Sequence, residues 1–380
     1  MNQFKILVAE DHPMSRRMLE AFLCTKYSVV TAASGREAVD VARKERPDIV
    51  LLDVEMPDMD GFEALEILKR KVIDEAVPVI FLTARSDSES KERGLEAGAV
   101  DYITKPYDKQ ELSIKVKNHL ALYAARKEID ERNKIMAREM ETASQLQNFL
   151  LPQEHPKIKG LDFSFLYRPF SATGGDFYDF VELSDARFGF VQVDVSGHGV
   201  ASAMIGAMFK MAFQSFALVK PSPAELLALI NDEMFSVLPD SDFLTVFYGI
   251  IDTKSLQLTF TNAGHPRPLL LRGASGSIEE LSIGGMLIGA LPGAEYEEGI
   301  VQLMDQDRLL MFTDGVTETF VKDCLDEAYG EGRLKELFRR NGNLDPDEIL
   351  SSIVEDLERY RGTSSFDDDI TLLLLSVKLD

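Results

Sequence analysis

Apolar residues arrive in five short runs over the first third of the chain: FKILVA, YSVVTA, DIVLLDV, VPVIFLTA and AVDYIT. The intervals between them hold roughly a dozen residues each, and several repeat their apolar positions at helical spacing. That alternation predicts a doubly wound parallel sheet with helices on both faces, an α/β unit over residues 1–120. Pro47 and Pro78 stand just before strands, where a missing N–H does little harm.

The pattern changes at residue 109. Residues 109–150 hold neither Gly nor Pro and are rich in Lys, Arg, Glu and Ala, which predicts a long helical linker over 109–151. Heptad steps fall on Leu122, Ala125, Ile129, Arg132, Met136, Glu139, Ala143, Leu146 and Leu150. Arg132 and Glu139 are the two polar exceptions, so the seam is weakest in its middle. A helix this long needs something to bury its stripe against. A coiled coil joining two copies of the chain is therefore expected, with one amphipathic helix lying on a domain as the plainer alternative. Pro152 and Pro156 end the helix.

Residues 157–380 read as strands joined by tight turns. FLTVFYGIIDTKSLQLTFTNAGH predicts a hairpin turning near Asp252, Thr253 and Lys254, with Leu256, Leu258 and Phe260 alternating against Gln257, Thr259 and Thr261. Apolar helical segments lie at 201–219 and 223–236, and amphipathic ones at 326–340 and 345–359. DITLLLLSV predicts a last strand. The sum is an α+β unit: a mostly antiparallel sheet core with helices outside.

Composition narrows the partners. The chain has 380 residues, 45% of them hydrophobic, and Lys+Arg total 41 against 64 Asp+Glu, a formal net charge of −23. That balance disfavours nucleic acid or an anionic membrane as main partner and suits a protein partner or divalent cations. It also speaks against a DNA-binding regulator, as does the lack of a basic helix-turn-helix segment. Cys24 and Cys324 stand in no metal-ligand spacing and read as ordinary thiols of a reducing cytoplasm. No apolar run approaches the ~18 residues of a membrane span. The start, MNQFKILVAE, lacks the shape of a signal peptide. A cytoplasmic protein is expected.

The polar residues of the first segment sit at strand ends. Glu10 and Asp11 follow the first run, Asp53 ends the third, Thr83 the fourth and Lys105 the fifth. Open α/β sheets build their sites at carboxyl ends. Three acids there repel unless a hard cation joins them through oxygen ligands, and a lysine opposite neutralises one more charge. This constellation resembles the response-regulator receiver domain, a flavodoxin-like fold. The resemblance implies that Asp53 accepts a phosphoryl group from a sensor histidine kinase. Glu10 and Asp11 would hold Mg²⁺ with Asp53 and the backbone carbonyl of Glu55. Thr83 would bond the phosphoryl oxygen, Lys105 would pair with it, and Tyr102 would be the rotating aromatic switch. Phosphorylation adds about −1.5 to −2 charges, enough to bias a two-state surface.

A second acidic set lies in the last segment. FGFVQVDVSGHGVASAMIGAM reads as a buried strand running through a turn into an apolar helix, and Asp194 closes that strand. A buried carboxylate is costly unless something pairs with it. Asp176 follows Gly174 and Gly175, Asp314 precedes Gly315, and Asp367, Asp368 and Asp369 stand before the last strand. Carboxylates so placed are accommodated together if they surround divalent metals. The pieces GGDFYDF, DVSGHG, NAGHPRPLL, TDGVTE and DDDIT together resemble the metal-dependent PPM-type serine/threonine phosphatases, in the SpoIIE-like branch that regulates stress sigma factors. The resemblance covers roughly 157–380.

It implies an αββα sandwich with two Mn²⁺ or Mg²⁺ ions. Asp194 would bridge both, Asp176 would hold one, and Asp314 and Asp368 the other, with Asp369 and Asp179 as second choices. His198 is a candidate acid for the leaving oxygen. His265 reads as structural, Arg168 as a candidate phosphate clamp or a surface residue, and Met204, Met208 and Met211 as packing. The expected function is a receiver-controlled protein phosphatase acting on a phosphorylated anti-sigma-factor antagonist. A phosphorylation-controlled adaptor with a non-catalytic phosphatase-like domain is the alternative, and such adaptors usually lack the metal acids. The expected route of control is dimerisation through the helical seam.

Overall fold

Strand and helix signals compete at only a few places in this chain, and most elements form where their periodicity directs. The structure, a computed structural model, describes residues 4–84, 97–152, 154, 156–184, 186–220, 222–239, 241–322 and 327–379. Cys324 lies outside the described residues. The chain divides into two compact units between Met136 and Ala137.

In the first unit β1 (Lys5–Ala9), β2 (Ser28–Ala32), β3 (Ile49–Asp53), β4 (Val79–Ala84) and β5 (Asp101–Lys105) pair in parallel, in the order β2-β1-β3-β4-β5. That is the flavodoxin-like order, whose switch point lies between β1 and β3. Between them run α1 (Pro13–Leu23), α2 (Gly35–Glu45) and α3 (Gly61–Lys71). Each opens on a side-chain cap, from His12, Ser34 and Asp60 respectively, satisfying an N–H that the helix itself leaves free. The three central strands β1, β3 and β4 are buried on both faces, which is why they read as unbroken apolar runs, while the edge strands β2 and β5 are only half-buried.

A single helix, α4, runs from Lys109 to Leu150. Its first turns bury Leu112, Val116 and Leu120 at i, i+4, i+8 in the core of the first unit. Beyond them the heptad seam is open: Leu122, Ile129, Met136 and Leu146 are all more than half exposed.

The second unit contains two antiparallel five-stranded sheets. One has the order β13-β10-β9-β8-β7 and the other β12-β11-β14-β15-β6. The site depends on β6 (Leu161–Arg168), β7 (Phe177–Ser184), β8 (Arg187–Val195), β9 (Leu244–Asp252), β10 (Gln257–Ala263), β14 (Arg308–Phe312) and β15 (Ile370–Val377). The remaining strands, β11 (Leu269–Leu271), β12 (Ile278–Glu280) and β13 (Gly299–Gln302), are short edge pieces that no alternation announced. One apolar layer, with Phe163, Tyr178, Phe190, Phe247, Leu309 and Leu373 among its members, fills the space between the sheets. A second joins the outer face of the first sheet to α5 (Val200–Phe216) and α6 (Pro223–Phe235). A third joins the outer face of the other sheet to α8 (Gly330–Arg340) and α9 (Pro346–Arg361). The expected αββα sandwich is what forms. A one-turn helix, α7 (Asp314–Thr317), follows β14.

The predicted hairpin is β9–β10, and Asp252 accepts from the backbone N–H groups of Lys254 and Ser255 to close its turn. Two expectations need correction. The helix placed at 326–340 starts at Gly330, because Ala328 bridges to Phe320 in extended form first. Met204, Met208 and Met211 do not pack in the core; they are 63%, 39% and 63% exposed. Ser202, Ile205, Gly206, Phe209 and Phe213 form the buried face of α5 instead. A helix apolar all round does not declare which side is inside.

Candidate functional site

In the first unit the parallel register brings the strand ends level: Ala9 lies beside Leu52, Asp53 beside Leu82, and Ala84 beside Lys105. Glu10, Asp53 and Thr83 are buried there, while Asp11 and Glu55 reach solvent. Oxygens of Glu10, Asp11 and Asp53 lie within 4.8 Å of one another, close enough to share one hard cation. Lys105 Nζ sits 2.5 Å from Asp53 Oδ2 and 3.1 Å from Glu10 Oε2. Burial pushes the Asp53 carboxyl up to about 6, and the Glu10 charge adds to that rise while Lys105 opposes it. Thr83 Oγ1 donates to the Ala84 carbonyl at 3.4 Å. Tyr102 is half-buried on β5, with the Lys115 ammonium 4.9 Å from its ring centroid. One contributor carried no sequence signal: the Tyr107 hydroxyl donates to Glu10 Oε2 at 2.5 Å and fixes that carboxylate from behind.

In the second unit, period-2 alternation decides which acids meet. Phe188 and Phe190 of β8 face the space between the sheets, so Gln192 and Asp194 point the same way. Val191, Val193 and Val195 face the helices. On β7 Tyr178 points inward, which places Asp176 inward and Asp179 outward. Asp179 there receives Lys210 Nζ of α5 at 2.7 Å and Gln214 at 3.1 Å. It is thereby removed from the acidic cluster for which it was a second choice.

The three consecutive acids before β15 separate just as sharply. Asp367 pairs with Arg361 at 2.6 Å. Asp369 is buried and accepts from the backbone N–H groups of Phe170 at 2.7 Å, Gly175 at 2.6 Å and Asp176 at 3.3 Å. Among the described residues Asp368 accepts from the Asp369 N–H, at 2.8 Å, and feels the charges of Asp314 and Asp369. Asp176 is held by the Thr371 hydroxyl at 2.6 Å and by Thr313. A Cβ on Gly174 would run into the Tyr167 hydroxyl and Asp369, so only glycine lets the loop pass this closely.

Asp194 lies among these groups. Burial raises its carboxyl to about 8, and Asp314, Asp368 and Asp369 add to the rise while a hydrogen bond with Asp176 offsets part of it. Asp176, Asp314 and Asp368 are raised too, each chiefly by burial. Among the described residues no lysine or arginine pairs with Asp176, Asp194, Asp314, Asp368 or Asp369. The oxygens of these acids do not converge three at a time within 4.8 Å as those of the receiver do. An all-oxygen donor set without a protein cation, buried at Asp176 and Asp369 and open at Asp368, suits hard divalent cations.

Residues 184–378, just over half of the chain, match the family described as stage II sporulation protein E (SpoIIE). The chain belongs to the SpoIIE family. Its first unit matches the response regulator receiver domain over residues 6–117. There it is 44% identical over 124 residues to sporulation initiation phosphotransferase F of Bacillus subtilis, covering 32% of this chain and 97% of that protein. Against the probable transcriptional regulators ycf27 of Porphyridium aerugineum and Cyanophora paradoxa, it spans about half of the relative's length. The SiaA-PP2C domain of Pseudomonas aeruginosa shares the fold of the SpoIIE-family half, with a TM-score of 0.58 and 24% identity over 66% of this chain and 99% of that one. The RsbU and RsbW domains of Rv1364c from Mycobacterium tuberculosis align with a TM-score of 0.50 and 26% identity, over 59% of this chain and 61% of that one.

The remaining candidates of this SpoIIE-family protein fall at the rim or away from it. Gly197 and Gly199 both adopt left-handed φ, which turns the chain from β8 into α5 and leaves His198 exposed between them. The His198 imidazole meets the edge of Phe170, with ring centroids 5.2 Å apart, and faces the charge of Asp368. His265 is buried, and its Nδ1 lies 2.8 Å from the Thr245 hydroxyl. The Asn262 side chain clasps the His265 backbone from both ends, closing the turn after β10. Arg168 is ion-paired with Glu358 at 2.5 Å on the surface. Thr313, Thr371 and Gln192 were missed in the sequence; polar residues at inward positions of apolar strands are the signal that marks them.

Proposed function

We propose that this protein is a receiver-controlled, metal-dependent protein serine/threonine phosphatase. The observation that carries the reading is a cluster of five acids without a protein cation among the described residues: Asp176 and Asp369 buried, Asp194 and Asp314 half-buried, and Asp368 open to solvent. Asp194 hydrogen-bonds to Asp176 and feels the charges of Asp314 and Asp368, so it would be the ligand shared by two Mn²⁺ or Mg²⁺ ions. Asp176 would hold one ion, and Asp314 and Asp368 the other. The wider spacing of these acids, compared with the receiver's three, fits two ions better than one. Bound there, such ions supply a nucleophilic water at neutral pH and screen the phosphoryl oxygens. The chain's own residues do the rest. Thr371 and Thr313 aim Asp176, Asp369 pins the loop that carries it, and an imidazole N–H of His198 protonates the leaving seryl or threonyl oxygen. An adaptor role would leave the acidic cluster without a purpose.

In the receiver, over residues 1–120, Asp53 takes the phosphoryl group from a sensor histidine kinase. Glu10, Asp11, Asp53 and the Glu55 carbonyl hold Mg²⁺, while Lys105, Thr83 and Tyr102 read the new charge. The linker over 109–151 carries the change to the phosphatase over 157–380, and the exposed seam at Leu122, Ile129, Met136 and Leu146 pairs two copies. The family likeness supports a phosphorylated anti-sigma-factor antagonist as substrate, in a cytoplasmic stress response. No described helix is long and apolar enough to cross a membrane.

The test is Mn²⁺-dependent hydrolysis of p-nitrophenyl phosphate and of phosphorylated antagonist proteins, with Mn²⁺ uptake followed by calorimetry. Activity and the uptake beyond the receiver's own ion should vanish in Asp194→Ala, and beryllofluoride should change the rate in the wild type but not in Asp53→Ala. No Mn²⁺ uptake by the wild type would refute the two-ion reading. Unchanged rates with beryllofluoride would refute receiver control.

A further inference from the structure

The last turn of α4 is turned the wrong way round for its sequence. Leu146 and Phe149 are apolar and stand 64% and 78% exposed, while the polar Gln147 between them is 9% exposed. Burying an amide in place of two apolar side chains is unfavourable unless both of its ends are hydrogen-bonded. Both are. Gln147 Nε2 donates to the Gly174 carbonyl at 2.6 Å, and the Gly174 N–H donates back to Gln147 Oε1 at 3.1 Å.

Gly174 opens the loop that delivers Asp176. The three successive N–H groups of that loop all have named acceptors: Gly174 uses Gln147, and Gly175 and Asp176 share Asp369. The loop is thus gripped from two sides, once by the sheet that carries Asp369 and once by α4. Leu150 and Leu151 of the same turn line a narrow cleft with Gly175, Ala203 and Lys210. Lys210 is itself ion-paired to Asp179, three residues past Asp176.

We propose that Gln147 is a positioning residue: seated against Gly174, it holds the Gly174–Asp176 loop in the shape that binds a divalent ion. The ion affinity of the site then depends on whether the last turn of α4 is docked. The proposal rests on the two-ion reading, and it names the atom pair through which the linker grips the site.

The test uses the full chain with Gln147→Met, which keeps length and helix propensity, and Gln147→Glu, which keeps an acceptor for the Gly174 N–H. Amide exchange of the segment around Gly174 in EDTA should quicken by about tenfold in Gln147→Met, the scale of one or two net hydrogen bonds. Gln147→Glu should fall between it and the wild type. The Mn²⁺ concentration for half-maximal p-nitrophenyl phosphate hydrolysis should rise about five- to tenfold in Gln147→Met, with kcat at saturating Mn²⁺ within twofold of the wild type. Unchanged exchange would overturn the clamp, and an unchanged Mn²⁺ requirement would overturn its positioning role. A wild type that takes up no Mn²⁺ would sink the two-ion reading and with it the affinity claim, while the exchange data would still decide the clamp.

Discussion

Asp194→Asn should make the metal-free protein more stable while abolishing its function. The Asp194 carboxyl sits at about 8 in the fold, against 3.8 in the unfolded chain. The folded state therefore holds a proton that the unfolded state releases, and stability falls as pH rises from about 4 to about 8. At about 1.4 kcal/mol per unit, the gap sets a ceiling near 5–6 kcal/mol at pH 8. Asp194 keeps some solvent access, which cuts the effect to about 2–3 kcal/mol. Asparagine cannot ionise and escapes this loss. Calorimetry in EDTA at pH 8 should show the Asn variant melting roughly 5–10 °C higher. At pH 5 the ceiling is only about 1–2 kcal/mol, so the difference should shrink to about a third. Adding Mn²⁺ at pH 8 should raise the melting of the wild-type second unit, by about 2.7 kcal/mol of stability at a hundredfold excess over Kd, and leave that transition of the variant unmoved. A variant no more stable than the wild type at pH 8, or a difference independent of pH, would refute the reading that burial and the neighbouring carboxylates hold a proton on Asp194.

Two further outcomes follow from the same region. Lys210→Met strands Asp179, whose side chain is 6% exposed, without its cation. The loss should be about 3–5 kcal/mol by denaturant unfolding, and the double variant Lys210→Met, Asp179→Leu should recover most of it; a single variant as stable as the wild type would count against the pair. Gly174→Ala forces a methyl group onto Tyr167 and Asp369. It should cost about 1–3 kcal/mol and raise the Mn²⁺ requirement, read from melting curves and p-nitrophenyl phosphate hydrolysis; normal values of both would show that the loop has room to give.

The amino-acid sequence by itself determined the central strands of the receiver, because strands buried on both faces write themselves as unbroken apolar runs, as in IVLLD of β3. It determined α4, because Gly and Pro are absent over the helix's length. It also placed the acids at strand ends, since a charged residue terminates an apolar run visibly. Tertiary structure decided which of those acids keep company. Asp367, Asp368 and Asp369 are identical in chemistry, yet one meets Arg361, one stays open, and one pins the loop before β7. Asp176 and Asp179 differ only in parity along β7, and parity becomes inside or outside only once α5 covers one face of the sheet. The exposed methionines of α5 and the buried Gln147 of α4 have the same cause. A residue's pattern names its neighbours along the chain, whereas burial is set by elements such as β15 and β6, which pair across some two hundred residues and leave no mark in local spacing.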